Sequence, residues 1–128
     1  MTANLVNKAI RNQFQVVLLP NLYGDIITDE AAQIQGGVGT AGSANIGDKF
    51  AMFEAIHGSA PRLLELGLGD YANPQSILKA EAMLLRHICR SQAAERLEKA
   101  LETCSITVTG DQNGATCQAY TEELMKLL

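Results

Sequence analysis

The sequence predicts an α/β fold, and two observations support this class. Apolar runs typical of strands alternate along the chain with segments in which apolar residues recur at helical spacing. The run F-Q-V-V-L-L-P, residues 14–20, is apolar at nearly every position, as expected of a strand buried on both faces of a sheet. Only about three strands can be predicted, which is few for such a sheet, so the chain is expected to be part of a larger fold.

The elements of the first half follow from local patterns. Apolar residues recur at helical intervals in residues 1–10, and Pro20 ends the strand that follows. Residues 23–35 place apolar side chains on one side of a predicted helix. Residues 36–47 hold five glycines in twelve positions and predict a loop, and residues 50–56 predict a second strand.

The second half is richer in helix. Residues 62–66 predict one helical turn, and Asn73-Pro74 is a helix start, with Asn as the cap and Pro at the first helical position. Residues 105–109, S-I-T-V-T, predict a short third strand. Three longer helices are predicted, at residues 73–89, 92–103 and 117–128.

The composition argues against several classes of protein. The chain has 128 residues, 47% of them apolar, which suits one domain with a buried core. The net charge is −4 and no stripe of Arg or Lys occurs, so nucleic acid is not an expected partner. No apolar run approaches the ~18 residues of a membrane span, so no membrane association is expected. Three cysteines without a C-x-x-C pair suit a reducing, cytoplasmic setting.

The stretch N-L-Y-G-D-I-I-T-D-E, residues 21–30, carries two aspartates at positions i and i+4 of a predicted helix. Asp25 and Asp29 therefore lie on one face of that helix. Two like charges at this spacing are mildly unfavourable unless a divalent cation such as Mg²⁺ or Mn²⁺ lies between them. The alternative is that both are acidic residues favoured near a helix N-terminus by the helix dipole. The spacing alone leaves both interpretations open.

Two glycine-containing segments are candidates for phosphate binding. Glycine lets a backbone approach a ligand closely. The two segments are the loop at residues 36–47 and H-G-S-A-P, residues 57–61. Neither a G-x-G-x-x-G motif nor a P-loop is present, so an ordered turn remains the alternative to a cofactor site. His57 is interpreted either as an acid/base residue or as a hydrogen-bonded structural histidine. Arg62 directly follows the H-G-S-A-P segment, where its positive charge would meet a bound phosphate.

Four motifs occur in a fixed order along the chain. They are N-L-Y-G-D-I-I-T-D, G-S-A-N-I-G-D, F-E-A-I-H-G-S-A-P, and an N-P helix start that leads to M-L-L-R-H-I. This series resembles the C-terminal part of the isocitrate and isopropylmalate dehydrogenases, from about residue 3 to the end of the chain. The resemblance implies a partial fold of that family, which is not a Rossmann fold, with a mixed sheet flanked by helices.

The resemblance also implies roles for individual residues. Asp25 and Asp29 match the aspartates that bind Mg²⁺ or Mn²⁺ in the family, and Glu54 matches a glutamate near the cofactor. The residues that match the site for the adenosine end of NAD or NADP are His57, Gly58, Ser59, Ala60, Pro61 and Asn73. No catalytic residue is expected in this chain, because the family's catalytic and substrate-binding side chains precede the matched region.

The choice between NAD and NADP stays open. Family members that use NAD usually carry Asp where Arg62 stands, and a basic residue there suits the extra phosphate of NADP. NADP enzymes of bacteria follow that residue with Tyr, whereas this chain has Leu63. They also carry an arginine near the later turn, and none follows Gly110-Asp111 here.

The resemblance further implies domains and an activity. Residues 1–35 correspond to part of a small dimer-contact and metal-binding domain, and residues 36–128 to part of a larger cofactor-binding domain. The motifs favour isocitrate dehydrogenase, which oxidatively decarboxylates isocitrate to 2-oxoglutarate as a homodimer. We expect the isolated chain to be an inactive fragment that self-associates. The alternatives are a 3-isopropylmalate dehydrogenase-type fragment and a complete, non-catalytic binding or regulatory module.

Overall fold

A computed structural model of the protein describes Asn7, residues 11–34 and residues 37–128. The helix predicted over residues 1–10 lies outside the described residues, apart from Asn7. The described part contains helices and one small two-stranded sheet, which confirms the predicted α/β class. No helix in that part is long and apolar enough to cross a membrane.

The chain divides into two compact units, Met1–Val38 and Gly39–Leu128. The first unit contains a 3-10 turn, Arg11–Gln13, and the helix α1, Asn21–Ile34. The second unit contains the sheet and the other helices. That the two parts of the chain serve dimer contact and cofactor binding stays a prediction.

Helix α1 begins two residues earlier than the sequence predicts. It starts directly after Pro20, whose carbonyl oxygen accepts a hydrogen bond of 2.8 Å from the backbone N–H of Gly24. The Thr28 hydroxyl donates to the carbonyl oxygen of Gly24 at 2.9 Å, a common use of threonine within a helix. Ala32 is buried on this helix.

The predicted strand at residues 14–20 is wrong. This segment forms no strand, and no other segment of the described chain pairs with it. Val16 and Leu18 are 85% and 92% exposed. A fully apolar strand is stable only when neighbours cover its edges and both faces, and none of the described residues does so here.

The sheet of the second unit is an antiparallel hairpin. Strand β1, Gly42–Ile46, pairs with strand β2, Ala51–Ala55, and Gly47 donates to the Phe50 carbonyl oxygen at 2.9 Å in the turn. The strand predicted at residues 50–56 is therefore confirmed. The loop predicted over residues 36–47 is wrong in its last part, because β1 occupies it. Pairing with β2 overrides the weak strand propensity of G-S-A-N-I.

Each predicted helix of the second unit is confirmed, and both of its ends lie within two residues of the predicted ends. They are α2, Pro61–Glu65; α3, Gln75–His87; α4, Ser91–Thr103; and α5, Cys117–Leu127. Two 3-10 turns, Val38–Thr40 and Gly69–Tyr71, complete the elements of the described part. Helix α3 packs against both strands and against α4.

The core of the second unit lies between α3, α4, α5 and the segment before α5. Its buried members are Ala82, Leu97, Ala100, Val108, Tyr120 and Leu124. The strand predicted at residues 105–109 is not formed, although Ile106 and Val108 turn inward as alternate residues of a strand would. One backbone bond, from Ala115 N–H to the Thr107 carbonyl oxygen at 3.0 Å, replaces a strand ladder.

Helix α3 approaches β1 very closely at Gly42. A Cβ atom placed on Gly42 would lie 2.5 Å from the backbone nitrogen of Ala80, which is fully buried. Backbone atoms of the helix cannot rotate away as a long side chain would. Glycine at this position is therefore required for the helix and the hairpin to pack.

We expect Gly42→Ala to destabilise the protein by about 1–3 kcal/mol, because the added methyl group forces α3 away from β1. The measurement is the free energy of unfolding in urea. Gly39→Ala is the matched control, since a Cβ at Gly39 meets no atom within 4 Å and Gly39 does not have positive φ. Equal unfolding free energies for the two variants would contradict the prediction.

Candidate functional site

The two aspartates predicted to bind metal lie on α1, in the first unit. Asp25 and Asp29 are both exposed and one helical turn apart. Within the described residues neither carboxylate has a hydrogen bond or an ion pair. Because α1 starts at Asn21, no acidic residue lies in its first turn. The helix dipole acts mainly within that turn, so it does not account for either aspartate.

The chemistry of these two donors fits a hard divalent cation. Carboxylate oxygens are the ligands that Mg²⁺ and Mn²⁺ prefer, and two of them leave coordination positions for water and substrate. No group of three potential ligands from His, Cys, Asp and Glu occurs in the part of the chain that the structure describes. Asp25 and Asp29 are therefore at most a part of a complete metal site.

The loop of residues 57–60 connects β2 to α2 in the second unit and is exposed throughout. Ala60 has φ 47° and ψ 55°, a left-handed conformation that is costly for a residue with a Cβ. Pro61 then starts α2, and Leu63 donates to the Ala60 carbonyl oxygen at 2.9 Å. Strained backbone of this kind is concentrated at ligand-binding sites.

Backbone N–H groups in this loop are free to bind a ligand. Those of Gly58, Ser59 and Ala60 donate no hydrogen bond to any described residue. His57 is exposed, and its Nδ1 lies 3.0 Å from the Gly58 carbonyl oxygen, a bond that requires the proton on Nδ1. His57 is thus hydrogen-bonded locally but is not a buried structural histidine.

Two of the other predicted cofactor residues are held by side-chain bonds. Glu54 on β2 accepts a hydrogen bond of 2.9 Å from the side-chain amide of Asn45 on β1. Asn73 accepts at Oδ1 from the backbone N–H of Gln75, the first residue of α3, at 3.0 Å. The N-cap residue is Pro74, so Asn73 lies one position before the cap that the sequence predicts and Pro74 is not the first helical residue. Arg62 lies in α2 and is exposed, directly after the loop.

Sequence reasoning missed the residue that links these parts. Ser76 is fully buried in the first turn of α3, three residues after Asn73. Its hydroxyl accepts from the backbone N–H of Ile56 at 3.1 Å and donates to the carbonyl oxygen of Ala41. Ile56 immediately precedes His57. The only signal in the sequence is the pair of small residues Ser76 and Ala80, spaced to share one helix face.

A second unforeseen contact holds the same turn. The side-chain amide of Gln75 donates to the hydroxyl oxygen of Tyr120 on α5 at 3.2 Å. Tyr120 is 0% exposed, and this burial raises the pKa of its hydroxyl group. The start of α3 is therefore fixed both by the Asn73 side chain and by a bond to the core of the second unit.

The motif M-L-L-R-H-I has a structural role in the described chain. The His87 ring packs against the ring of Phe53, with centroids 5.4 Å apart. Arg86 binds Glu98 of α4 through two hydrogen bonds, one of them 3.1 Å long from Nε to Oε1. Both partners of this pair are partly exposed, so the pair adds little stability.

The fold and these contacts define a class of protein. It is an α/β protein with an exposed carboxylate pair on one helix and, in its second unit, an exposed loop whose entry is hydrogen-bonded to the first turn of α3. The sequence pattern of the isocitrate/isopropylmalate dehydrogenases matches residues 1–128. The chain therefore belongs to the isocitrate/isopropylmalate dehydrogenase family, which confirms the resemblance.

Curated relatives carry the names of both branches. A Rickettsia bellii protein named isocitrate dehydrogenase (NADP) is 50% identical over 99 residues, which cover 77% of this chain and 20% of the relative. A Methanothermobacter thermautotrophicus protein named 3-isopropylmalate dehydrogenase is 44% identical over 90 residues, 70% of this chain and 26% of the relative. A Dictyostelium discoideum protein, named as a mitochondrial regulatory subunit of isocitrate dehydrogenase (NAD), is 41% identical over 120 residues, 90% of this chain and 33% of the relative. The chain thus spans a fifth to a third of these relatives.

Solved structures show the same fold. The crystal structure of the TT0538 protein from Thermus thermophilus has a TM-score of 0.85 and 36% identity, and the match covers 99% of this chain and 26% of that one. Isocitrate dehydrogenase from Methylococcus capsulatus has a TM-score of 0.81 and 34% identity, with 98% of this chain and 38% of that chain covered. The predicted family fold is confirmed.

The turn before α5 contains a carboxylate with a shifted pKa. Asp111 accepts at Oδ1 from the Thr109 hydroxyl at 2.8 Å and from the Asn113 backbone N–H at 2.9 Å. These bonds, the Thr109 bond above all, favour the charged form and lower the pKa of Asp111. Gly110 precedes it with φ 84°, a conformation suited to glycine.

We expect Thr109→Val to raise the pKa of Asp111 toward the ordinary aspartate value of about 3.9, because the main donor is lost. The pKa in the folded protein is below that of the unfolded chain. The Asp111 carboxylate therefore stabilises the folded protein at pH values above its pKa in the unfolded chain. This stabilisation is lost as the pH falls through its pKa in the folded protein. The measurement is an NMR pH titration of the Asp111 carboxyl carbon. Thr121→Val, which removes a hydroxyl within α5, is the control and should leave that titration unchanged.

Proposed function

We propose that this chain supplies two metal ligands and the adenosine-binding loop of a metal-dependent, NAD(P)-linked isocitrate dehydrogenase. That enzyme oxidatively decarboxylates isocitrate to 2-oxoglutarate. The observation that carries the proposal is that Asp25 and Asp29 are exposed on one helix face of a chain of this family and have no ion-pair partner among the described residues. The preference for isocitrate over 3-isopropylmalate is supported by the identities of 50% and 44% to relatives bearing those names.

The proposed metal ligands are Asp25 and Asp29. A bound Mg²⁺ or Mn²⁺ supplies positive charge that stabilises the negative charge developing on substrate oxygens. The two carboxylates hold part of the cation's coordination shell and leave the rest to a 2-hydroxy acid substrate. Their exposure on α1 gives a substrate direct access to this face of the helix.

The proposed cofactor site is the loop of residues 57–61 with Asn73, Glu54 and Arg62. Free backbone N–H groups in the loop suit an anionic ligand. Asn73 brings a side-chain amide whose oxygen already accepts from the Gln75 N–H at the start of α3. Arg62, exposed beside the loop, suits the additional phosphate of NADP. Comparing the dissociation constants of NAD⁺ and NADP⁺ for the chain decides between the two cofactors.

We also propose a homodimeric parent enzyme in a reducing, cytoplasmic setting. The thiols of Cys89, Cys104 and Cys117 are free, which suits that redox environment. Analytical ultracentrifugation of the enzyme isolated from its native cells tests the dimer, and fractionation of the same cells tests the compartment. A monomer, or recovery from an organelle, would contradict the respective proposal.

A second candidate is a non-catalytic binding or regulatory module. It is favoured by the 41% identity to the Dictyostelium protein whose name contains the word "regulatory". Metal binding separates the candidates. Binding of both nucleotide and Mn²⁺ favours the dehydrogenase, and binding of nucleotide without Mn²⁺ favours the module.

We expect the chain to bind Mn²⁺, and Asp25→Asn and Asp29→Asn each to weaken that binding at least about tenfold, because each removes a direct ligand. Binding is measured by the loss of the free Mn²⁺ signal in electron paramagnetic resonance. Glu30→Gln is the matched control, since Glu30 is an exposed carboxylate on the same helix. Equal Mn²⁺ affinity of all four proteins would contradict the assignment of both ligands.

We expect no turnover of isocitrate by the 128-residue chain alone, because it spans only a fifth to a third of its relatives. Proton transfer and substrate positioning need side chains in fixed places, and those expected for the reaction lie outside the matched region. The measurement is absorbance at the wavelength of NAD(P)H with isocitrate, Mn²⁺ and either nucleotide. Formation of NAD(P)H at a rate proportional to the concentration of the chain would refute this expectation.

A further inference from the structure

We propose that Ser76 is a positioning residue for the proposed adenosine site. Its hydroxyl couples the entry of the loop at residues 57–60 to the Asn73 turn at the start of α3. This coupling sets where the free N–H groups of the loop lie relative to Asn73. The inference rests on the proposed function of that loop.

The hydroxyl of Ser76 makes one accepted and one donated hydrogen bond, each with a backbone group. Ser76 is 0% exposed, so no water competes for these bonds. It accepts from Ile56 N–H at 3.1 Å and donates to the Ala41 carbonyl oxygen. Ile56 is the first residue after β2, and Ala41 is the residue before β1. One side chain thus satisfies a donor and an acceptor at the open end of the hairpin, where the strand ladder ends.

Packing alone does not require a hydroxyl at this position. Ala80, one turn further along α3, is equally buried, and its contact with Gly42 already brings the helix against β1. The hydroxyl instead fixes the orientation of the Ile56 N–H, the last backbone donor before the loop. Without it, the Ile56 N–H would be left unpaired or would turn toward another acceptor.

The start of α3, which Ser76 links to the loop, is itself fixed by hydrogen bonds. The backbone N–H of Gln75 donates to Asn73 Oδ1, and the Gln75 side chain is bonded to the buried hydroxyl of Tyr120. Ser76 follows Gln75 directly. The first turn of α3 is therefore anchored in the core, and Ser76 transfers that anchorage to the loop.

The test compares Ser76→Ala and Ser76→Cys with the unaltered 128-residue chain. Cysteine keeps the side-chain shape but is a weak donor and acceptor, so it removes the bonds with less loss of packing. Three quantities are measured: amide hydrogen exchange at Ile56 relative to the amides of α4, the NMR positions of the amides of residues 57–60, and the dissociation constants of NADP⁺ and NAD⁺ by titration calorimetry.

In both variants we expect faster exchange at Ile56, shifted amide signals for residues 57–60, and about tenfold weaker binding of the nucleotide that the unaltered chain prefers. Val108→Ala is the control, because it removes buried apolar volume from the core without touching the loop. It should lower the unfolding midpoint while leaving the loop amides and the dissociation constants unchanged.

Each result decides the inference. Loop amides and nucleotide affinity that match the unaltered chain in both Ser76 variants would overturn it, as would failure of both variants to fold. Failure of the unaltered chain to bind either nucleotide at millimolar concentration would contradict the proposed function. In that case the Ile56 exchange and the loop amides of the variants still show whether Ser76 positions the loop.

Discussion

The second unit depends on the close approach of one helix to a two-stranded hairpin. A hairpin by itself is barely stable in water, so β1 and β2 need a helix to cover one face. Gly42 permits this approach, and the small side chains of Ser76 and Ala80 complete it. Larger residues at these three positions would separate the layers, and the loop that follows β2 would lose its support.

The same contact explains how a site made of exposed residues can have a defined shape. The side chains of residues 57–60 are exposed and are not themselves packed. Order comes instead from the backbone on either side of the loop. Ser76 holds Ile56 before it, and Pro61 with the short helix α2 follows it. A binding surface formed by backbone N–H groups needs support of this kind, because the groups must be preorganised to bind an anion.

Local signals predicted the helices and, within two residues, the start of α3 after Asn73, because helical periodicity and helix starts depend on residues close together in the sequence. They failed where pairing between distant segments decides the structure. Strand β1 has a sequence of low strand propensity and forms only because β2 lies beside it. Residues 14–20 have high strand propensity and form no strand among the described residues, since nothing there pairs with them. Ser76 carried almost no local signal because its partners, Ala41 and Ile56, are 35 and 20 residues away.

The role of the candidate metal ligands could not be predicted from their spacing alone. The spacing of Asp25 and Asp29 was compatible with a helix start as well as with a cation site. The observed start of α1 at Asn21 moves both beyond the first turn and leaves the dipole explanation without support. Family membership then supplies the reason to expect a cation.

The left-handed backbone of Ala60 restricts which sequences this loop can accept during evolution. Glycine or asparagine would occupy position 60 with less strain than alanine, whereas valine, isoleucine or threonine would clash with their own backbone. Neighbouring Ser59, which is exposed, is under no such restriction from its surroundings. The backbone conformation should therefore confine position 60 to small or amide-bearing residues.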